Sequence, residues 1–154
     1  MIAEIVPATS EHITPIADHV READRAEFWA ATYSLPADVM RRGLRVSETV
    51  YTGLIDGIPV CMFGVASAGL LGGVGRPWMV GTDHLDRHAL LFLKRCRKVV
   101  AEMVALFPIL ENYVDSRNVR AIQWLKWLGF KMDEAMPVGV LGIPFIRFEM
   151  RGRL

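Results

Sequence analysis

Apolar and polar residues follow two different spacings along this chain, and the changes of spacing divide it into elements. The opening AEIVPAT, residues 3–9, predicts a strand, and Ser10 followed by an acidic residue predicts the capped start of a helix. The polar segment 21–33 predicts a second helix, and Pro36 predicts a short turn after it. The first part of the chain is therefore expected to be mostly helical.

Strand-like alternation begins at TVYTGLI and continues in IPVCMFGVA, with Asp56 and Gly57 between them. An Asp-Gly pair readily adopts the positive φ angles of a tight primed turn, so these segments predict a hairpin. A third strand is predicted from Arg76 to Val80. The chain carries no charge between Asp56 and Arg76, a length that approaches a membrane span, but its glycines and its proline favour two buried strands and a turn.

The longest helix is predicted from about Leu85 to Phe107, because one face is apolar at helical spacing while Lys94, Lys98 and Glu102 lie opposite. The apolar positions of that face are Phe92, Cys96, Val99, Val100, Met103 and Phe107.

Pro108 ends this helix, and the segments after it predict a strand (ILENYVD), a helix over 118–130 (NVRAIQWLKWLGF) and two closing strands (MPVGVLGI and PFIRFEMR). The order of elements predicts an α/β fold, in which a mixed, mostly antiparallel sheet of six to seven strands carries about four helices on its faces. A chain of 154 residues is the size of one domain, so 1–154 is expected to be a single domain.

Charge and cysteine content exclude several classes of function. The 18 basic and 17 acidic residues nearly cancel, which leaves no strong field to attract nucleic acid or an anionic membrane. Cys61 and Cys96 stand in apolar surroundings without the spacing of a zinc or redox site, so they are predicted to be buried free thiols in a reducing compartment. The N-terminal MIAEIVPATSEH lacks the basic and apolar regions of a secretory signal.

The order of elements, together with Asn118, Ala121 and the Gly129-Phe130 pair, resembles the Gcn5-related N-acetyltransferase (GNAT) fold. The family's helix after strand five commonly reads N-x-x-A and, after seven further residues, G-F. In this chain Asn118 would cap the helix, Ala121 would pack closely on the sheet, and Gly129 would end the helix in the left-handed conformation. The resemblance implies an acyltransferase that uses acetyl-CoA or another acyl-CoA, with the sheet splayed between strands four and five and Asn118 near the cofactor.

A narrower resemblance is to the internal virion protein A family of tailed phages, the protein 13 family of T7-like phages. It is carried, in this order, by RPWMVGTDHL, FLKRCRKVVAEM, NYVDSRN and IQWLKWLGF. This resemblance implies a role in particle assembly, with phage structural proteins or a second copy of this chain as partners. The location would be the cytoplasm of the bacterial host or the interior of the virion.

The loop that would hold the pyrophosphate of CoA departs from the GNAT pattern. Active members carry Q/R-x-x-G-x-G/A there, and its backbone N–H groups at a helix start bind the anion. This chain has GTDHLDRHALL, so the cofactor candidates beside Asn118 are Gly81, Thr82 and Arg87. Asp83 and Asp86 form a capping-box-like pair that is expected to compete for the same N–H groups. Arg87 and two neighbouring histidines would partly offset their charge.

No catalytic acid or base can be assigned. Many GNAT proteins place a tyrosine seven residues after the asparagine, where it can protonate the leaving thiolate, but here that residue is Leu125. The third and fourth strands carry no carboxylate. His84 and His88 could act as a base or bind a metal, but two ligands do not make a site, so no metal is predicted.

Two groups of polar residues are candidates for the substrate side. Tyr113 and Asp115 lie at a strand end where a substrate would bind in this fold, although a solvated loop is the alternative. Glu27, with Glu22 and Asp24, could attract a basic amine, although a charged run is more often the solvated face of a helix.

Arg120, Trp124 and Trp127 form a second stripe on the helix over 118–130. One helix cannot bury two faces against one sheet, so the tryptophans are either covered by the closing strands or exposed as an aromatic patch for a protein partner. Two functions therefore remain open: a GNAT-fold acyltransferase with a degenerate pyrophosphate loop, or an inactive GNAT-fold protein that acts through protein contacts.

Overall fold

Seven strands form one sheet in the order β1-β2-β3-β4-β5-β7-β6 in this computed structural model, which describes residues 1–152. The strands are β1 Ala3–Pro7, β2 Ser47–Ile55, β3 Ile58–Ser67, β4 Val74–Gly81, β5 Ile109–Asp115, β6 Lys131–Pro137 and β7 Pro144–Arg151. All neighbouring strands are antiparallel except β4 and β5, which are parallel.

Six α-helices occur within residues 1–152, and a short 3-10 turn over Ser10–His12 precedes the first. They are α1 Ile13–Ala17, α2 Glu22–Thr32, α3 Pro36–Val46, α4 Asp83–Asp86, α5 Ala89–Leu106 and α6 Val119–Leu128. Buried residues of α5 and α6 pack on one face of the sheet, and α1 and α3 pack on the other. The predicted mixed, mostly antiparallel sheet with helices on its faces is therefore confirmed.

Local signals located most elements correctly. Asp56 and Gly57 have φ angles of 50° and 79° and join β2 to β3, as the hairpin signal requires. The side chain of Asn118 accepts from the N–H of Ala121 and so caps α6, and Gly129 ends that helix with a φ of 104°. Both predicted thiols, on Cys61 and Cys96, are buried and free.

Three predicted elements were wrong in extent. The short turn after Pro36 is the full helix α3, with Pro36 in its first turn. The helix predicted over 85–107 is divided into α4 and α5. The strand predicted at MPVGVLGI is mostly a turn around Gly139 and Gly142, both at positive φ, and β6 comes earlier in the chain.

The strand β6 was misplaced because it forms an edge of the sheet and is largely exposed. Its sequence, KMDEAMP, therefore lacks the apolar alternation of a half-buried strand. The uncharged stretch after Asp56 forms β3, a loop and the start of β4, as predicted. Within residues 1–152, no helix is both long enough and apolar enough to cross a membrane.

Candidate functional site

The parallel strands β4 and β5 separate after their first residues and leave a cleft in the sheet. Their ladder joins Val74 to Ile109 and Gly75 to Leu110, near the start of both strands. Beyond these pairs lies a cavity of about 170 Å³, lined by β4, β5, α2, α5 and α6. The cleft therefore opens toward Gly81 and Asp115, where the two strands end.

The side chain of Asn112 on β5 bridges the two strands across this cleft. Its Nδ2 donates to the backbone carbonyl of Pro77 on β4 at 2.8 Å, and its Oδ1 accepts from the N–H of Tyr113 at 2.8 Å. Pro77 has no N–H of its own. Asn112 therefore satisfies backbone groups that would otherwise be open to a ligand.

Two carboxylates of α2, one turn apart, bind the ends of the diverging strands. Asp24 accepts from the N–H of Gly81 at the end of β4, at 2.9 Å. Glu27 accepts from the N–H of Asp115 at the end of β5, at 2.8 Å. The helix α2 thus connects the two strands that the sheet leaves apart.

Besides Pro77 and Gly81, Met79 is the residue of β4 whose backbone groups face the cleft. Successive residues of an antiparallel strand alternate between bonding their neighbour and pointing away from it. The carbonyl of Val74 accepts from the N–H of Ala68, just after β3, while the groups of Pro77 and Gly81 face the cleft. Met79 is two residues from each of these and so faces the cleft too. Its N–H is therefore a donor available to a ligand.

A buried charge cluster closes the wide end of the cleft, and its centre is Arg21, only 4% exposed. Arg21 lies 2.9 Å from Asp24 and 3.1 Å from Asp86 in ion pairs, and its Nη2 donates to the side chain of Asn118 at 3.3 Å. The guanidinium also lies 4.9 Å from the ring centre of Trp124. One cation therefore links α2, α4 and α6.

The carboxyl group of Glu27 in the cleft has a strongly raised pKa. Its pKa is raised from 4.5 to about 8, mainly by burial and also by the neighbouring charge of Asp24, while the hydrogen bonds from Asp115 and Asn118 oppose the rise. These bonds both reach Oε1. Glu27 therefore changes protonation state near neutral pH, which suits an acid or a base.

The raised pKa of Glu27 predicts a pH-dependent stability. Between about pH 4.5 and pH 8 the folded protein keeps a proton that the unfolded chain releases, so stability falls as the pH rises through this window and stays lower above it. Glu27→Gln removes this penalty and should be more stable than the wild type at about pH 9 by on the order of 5 kcal/mol, since one pKa unit is about 1.4 kcal/mol.

Urea denaturation at about pH 5 and about pH 9 measures this difference, which should nearly vanish at the lower pH. The matched control is Glu22→Gln on the same helix, where the side chain is 86% exposed. A gain for Glu27→Gln that is the same at both pH values would contradict the assignment.

The predicted pyrophosphate loop directs most of its backbone N–H groups toward the protein. The N–H of Gly81 binds Asp24, that of Thr82 binds the carbonyl of Val60, and that of Leu85 binds Thr82. Thr82 is the cap of α4 and its side chain donates to Val60. The predicted capping pair of Asp83 and Asp86 is therefore wrong, because Thr82 caps this helix and Asp86 faces Arg21.

The other cofactor candidates lie apart. Arg87 is exposed in the turn between α4 and α5, whereas Asn118 is buried beside Asp24. The loop therefore does not fit a diphosphate in the way the resemblance implied, because the N–H groups of Gly81, Thr82 and Leu85 already have partners within the protein and one of these partners is the acidic Asp24. The binding of cofactor by Gly81, Thr82, Arg87 and Asn118 stays a prediction.

On the substrate side, Tyr113 and Glu27 line the cleft, but Asp115 does not. The carboxylate of Asp115 is turned away and binds Arg117 at 2.7 Å. The solvated-face interpretation of α2 holds for Glu22 and is wrong for Asp24, which is buried, and for Glu27, which lines the cleft. The open N–H groups at the strand ends explain why these two acids turn inward.

The second stripe of α6 is mostly covered. Trp124 is buried in the same apolar cluster as Phe148 of the last strand, with the guanidinium of Arg21 over its ring, and Arg97 stacks 3.9 Å from the ring centre of Trp127. Arg120 is exposed. Trp124 is therefore unavailable to a partner in this conformation.

His84 and His88 lie with ring centres 5.5 Å apart, and residues 1–152 hold no group of three or more His, Cys, Asp or Glu side chains that could bind a metal.

The sequence did not indicate the roles of Arg21, Asn112 and Met79 in the cleft. The spacing of Arg21 and Asp24 was a local signal for an ion pair, but nothing local indicated the bridge of Asn112 or the open edge at Met79.

No protein-family model matches this chain, and no curated protein matches it in sequence. Solved structures do match it along nearly its whole length. An acetyltransferase of the GNAT family from Streptococcus pneumoniae is 12% identical with a TM-score of 0.66, and the match covers 97% of this chain and 99% of that one.

Two further matches were solved with a ligand. The aminoglycoside acetyltransferase AAC(6')-Ib, in complex with coenzyme A, is 14% identical with a TM-score of 0.69, covering 97% of this chain and 95% of the other. The yncA protein from Salmonella typhimurium, with its cofactor acetyl-CoA, is 11% identical with a TM-score of 0.70, covering 98% and 94%. The chain described here therefore has the fold of the Gcn5-related N-acetyltransferases.

Proposed function

We propose that this protein transfers an acyl group from an acyl thioester, such as acyl-CoA, to an amine in the cleft between β4 and β5. The observation that carries the proposal is the carboxyl group of Glu27, which lines the cleft and has a pKa of about 8. A base with a pKa near the working pH can take a proton from an attacking amine.

Glu27 is suited to this role by its hydrogen bonds. The N–H of Asp115 and the side chain of Asn118 both bind Oε1, which fixes the carboxyl group. Oε2 is then the atom that would accept the proton of an ammonium group or of the attacking amine. The buried carboxylate of Asp24 on the same helix favours a cationic substrate over an anionic one.

The N–H of Met79 is suited to polarise the carbonyl of the thioester. A backbone donor aimed at an oxygen that gains charge lowers the barrier to acyl transfer. In the reaction the amine nitrogen bonds the acyl carbon, the carbon–sulfur bond breaks, and the thiolate leaves with the electron pair. Glu27 receives the proton of the amine, and the thiolate takes a proton from solvent.

Leu125 is compatible with this scheme. It lines the cleft and cannot donate a proton. A thiol has an ordinary pKa of about 8.5, so a thiolate is a tolerable leaving group near the pH at which Glu27 is ionised. The absence of a tyrosine at this position therefore does not prevent the transfer.

The comparisons support the proposal at the level of the fold. The structures of AAC(6')-Ib with coenzyme A and of yncA with acetyl-CoA share the architecture of this chain. The shared fold does not extend to binding of the CoA diphosphate, because the N–H of Gly81 that would bind it is already bonded to Asp24.

The experiment is an assay of thiol release from acyl-CoA with a panel of primary amines, together with thermal unfolding in the presence of the same acyl-CoA. A ligand at a hundred times its Kd stabilises a fold by about 2.7 kcal/mol, which should raise Tm by several degrees. Amine-dependent thiol release with formation of the amide supports the proposal. Binding without amide formation for any amine would refute it.

A second candidate, a GNAT-fold protein without catalytic activity, is favoured by the occupied donors of the loop at Gly81 and Thr82. The phage resemblance would then describe its role, with phage structural proteins or a second copy of the chain as partners. This candidate predicts co-purification with assembled particles and no thiol release, so the same assay separates the two.

A further inference from the structure

We infer that the cleft recognises its donor by an apolar acyl chain of about six carbons rather than by a nucleotide diphosphate. The inference rests on the proposed acyl transfer. The preferred donor is then a medium-chain acyl thioester and not acetyl-CoA. The pantetheine and nucleotide parts that carry the thiol contribute little to binding.

The inner part of the cleft is an apolar pocket. Its walls are Leu93, Cys96, Val100 and Met103 of α5, and its floor includes Val114 and Phe148 of the sheet. The whole cleft, with its polar end, has a volume of about 170 Å³, which is similar to that of an apolar cavity known to hold benzene, roughly 150 Å³. A six-carbon chain fills such a space, whereas an acetyl group leaves most of it empty.

The polar groups of the cleft are grouped at one end of this pocket. Arg21, Asp24, Glu27 and Asn118 line the cleft together with its apolar residues, and these four bind one another. A thioester carbonyl at the N–H of Met79 would therefore stand between the acids and the apolar walls. The acyl chain of a donor has no polar atoms, so its burial among the apolar walls leaves no hydrogen bond unmade.

The side of the cleft between α5 and α6 is covered by side chains. Trp124 is 8% exposed and lines a small second cavity together with Leu93, and Arg97 lies on the ring of Trp127. A polar arm with amide groups would need backbone partners here, but the groups of Pro77 and Tyr113 are already bonded to Asn112.

The place expected for a diphosphate is also unfavourable. Asp24 holds the N–H of Gly81 just before α4, and Asp86 is the last residue of this short helix. Arg21, the nearby cation, is already shared between these two acids. A diphosphate would therefore meet negative charge without a free donor from Gly81 or Thr82.

The test compares four ligands by calorimetric titration: acetyl-CoA, hexanoyl-CoA, hexanoyl-pantetheine and CoA. Burial of a methylene group is worth about a fourfold change in Kd, so hexanoyl-CoA should bind at least about tenfold more tightly than acetyl-CoA. Hexanoyl-pantetheine should bind within about threefold of hexanoyl-CoA, and CoA should bind most weakly.

Val100→Phe fills the pocket from α5 and should weaken binding of hexanoyl-pantetheine at least about tenfold. Leu90→Phe is the matched control, because Leu90 is on the same helix and 56% exposed. Thermal unfolding of both variants checks that they fold. If Val100→Phe does not fold, Leu128→Phe fills the same pocket from α6.

The outcomes separate this inference from the proposed function. Equal affinity for acetyl-CoA and hexanoyl-CoA, or a large loss on removing the nucleotide, overturns the inference even if amines are acylated. Tight binding of both hexanoyl ligands without amide formation supports the inference and refutes the transfer. No binding of any of the four ligands overturns the inference.

Discussion

Glu27→Gln is expected to lower kcat/KM for acyl transfer by about 10²- to 10⁴-fold, the usual contribution of a general base. Glutamine keeps the acceptor that binds the N–H of Asp115 but cannot take a proton. The wild-type rate should rise with pH and level off above about pH 8, the pKa of Glu27, whereas the variant should lack this transition.

Thiol release measured from about pH 6 to pH 10 tests this prediction. Glu22→Gln is the control, because its exposed side chain lies on the same helix and outside the cleft. Since Glu27→Gln is expected to gain stability at alkaline pH, lost activity there cannot result from unfolding. A variant with the wild-type rate and pH profile would exclude Glu27 as the base.

Arg21→Met is expected to produce the largest loss of stability. The substitution leaves Asp24 and Asp86 near each other without the cation that they share. Removing one partner of a buried ion pair costs about 3–5 kcal/mol. For a domain of this size that should lower Tm by roughly 10 °C.

The matched control for this prediction is Arg25→Met. Arg25 is four residues further along α2 and faces Glu22 at 3.7 Å, with both side chains exposed to solvent. Loss of such a surface pair costs about 0–1 kcal/mol. The double variant Arg21→Met with Asp24→Asn should recover part of the loss, because one uncompensated charge is removed. Equal losses for the two single variants would show that the cluster at Arg21 does not stabilise the fold.

The sequence predicted well those elements whose signals lie within a few residues. Asp56 and Gly57 define the hairpin because both adopt positive φ, and Asn118 and Gly129 define α6 because they cap its two ends. The apolar face of α5 was equally clear, since helical spacing alone places it on the core. The fold class follows from the order of such elements.

Other elements escaped prediction because their context is not local. The edge strand β6 is polar and exposed, so its sequence carries no alternating pattern. The break between α4 and α5 also lies inside a continuous helical pattern. In both places tertiary packing decides the outcome over sequence preference.

The candidate site illustrates the same limit more strongly. On sequence, Asp24 and Glu27 have the spacing of a solvated helix face. In the structure they bind N–H groups that lie 57 and 88 residues away, at Gly81 and Asp115. Arg21 meets Asn118 across 97 residues. The pattern of residues within one segment does not show which backbone N–H groups of a distant segment lack a hydrogen-bond partner.

The sequence by itself therefore determined most of the strands and helices, the capped helix α6 and the departure of the loop after β4 from the GNAT pattern. Only the tertiary structure decided that β4 and β5 diverge, that α2 turns its carboxylates to their open ends, and that burial raises the pKa of Glu27. The physical reason is that backbone pairing and desolvation depend on which distant segments meet, while caps and turns depend on neighbouring residues.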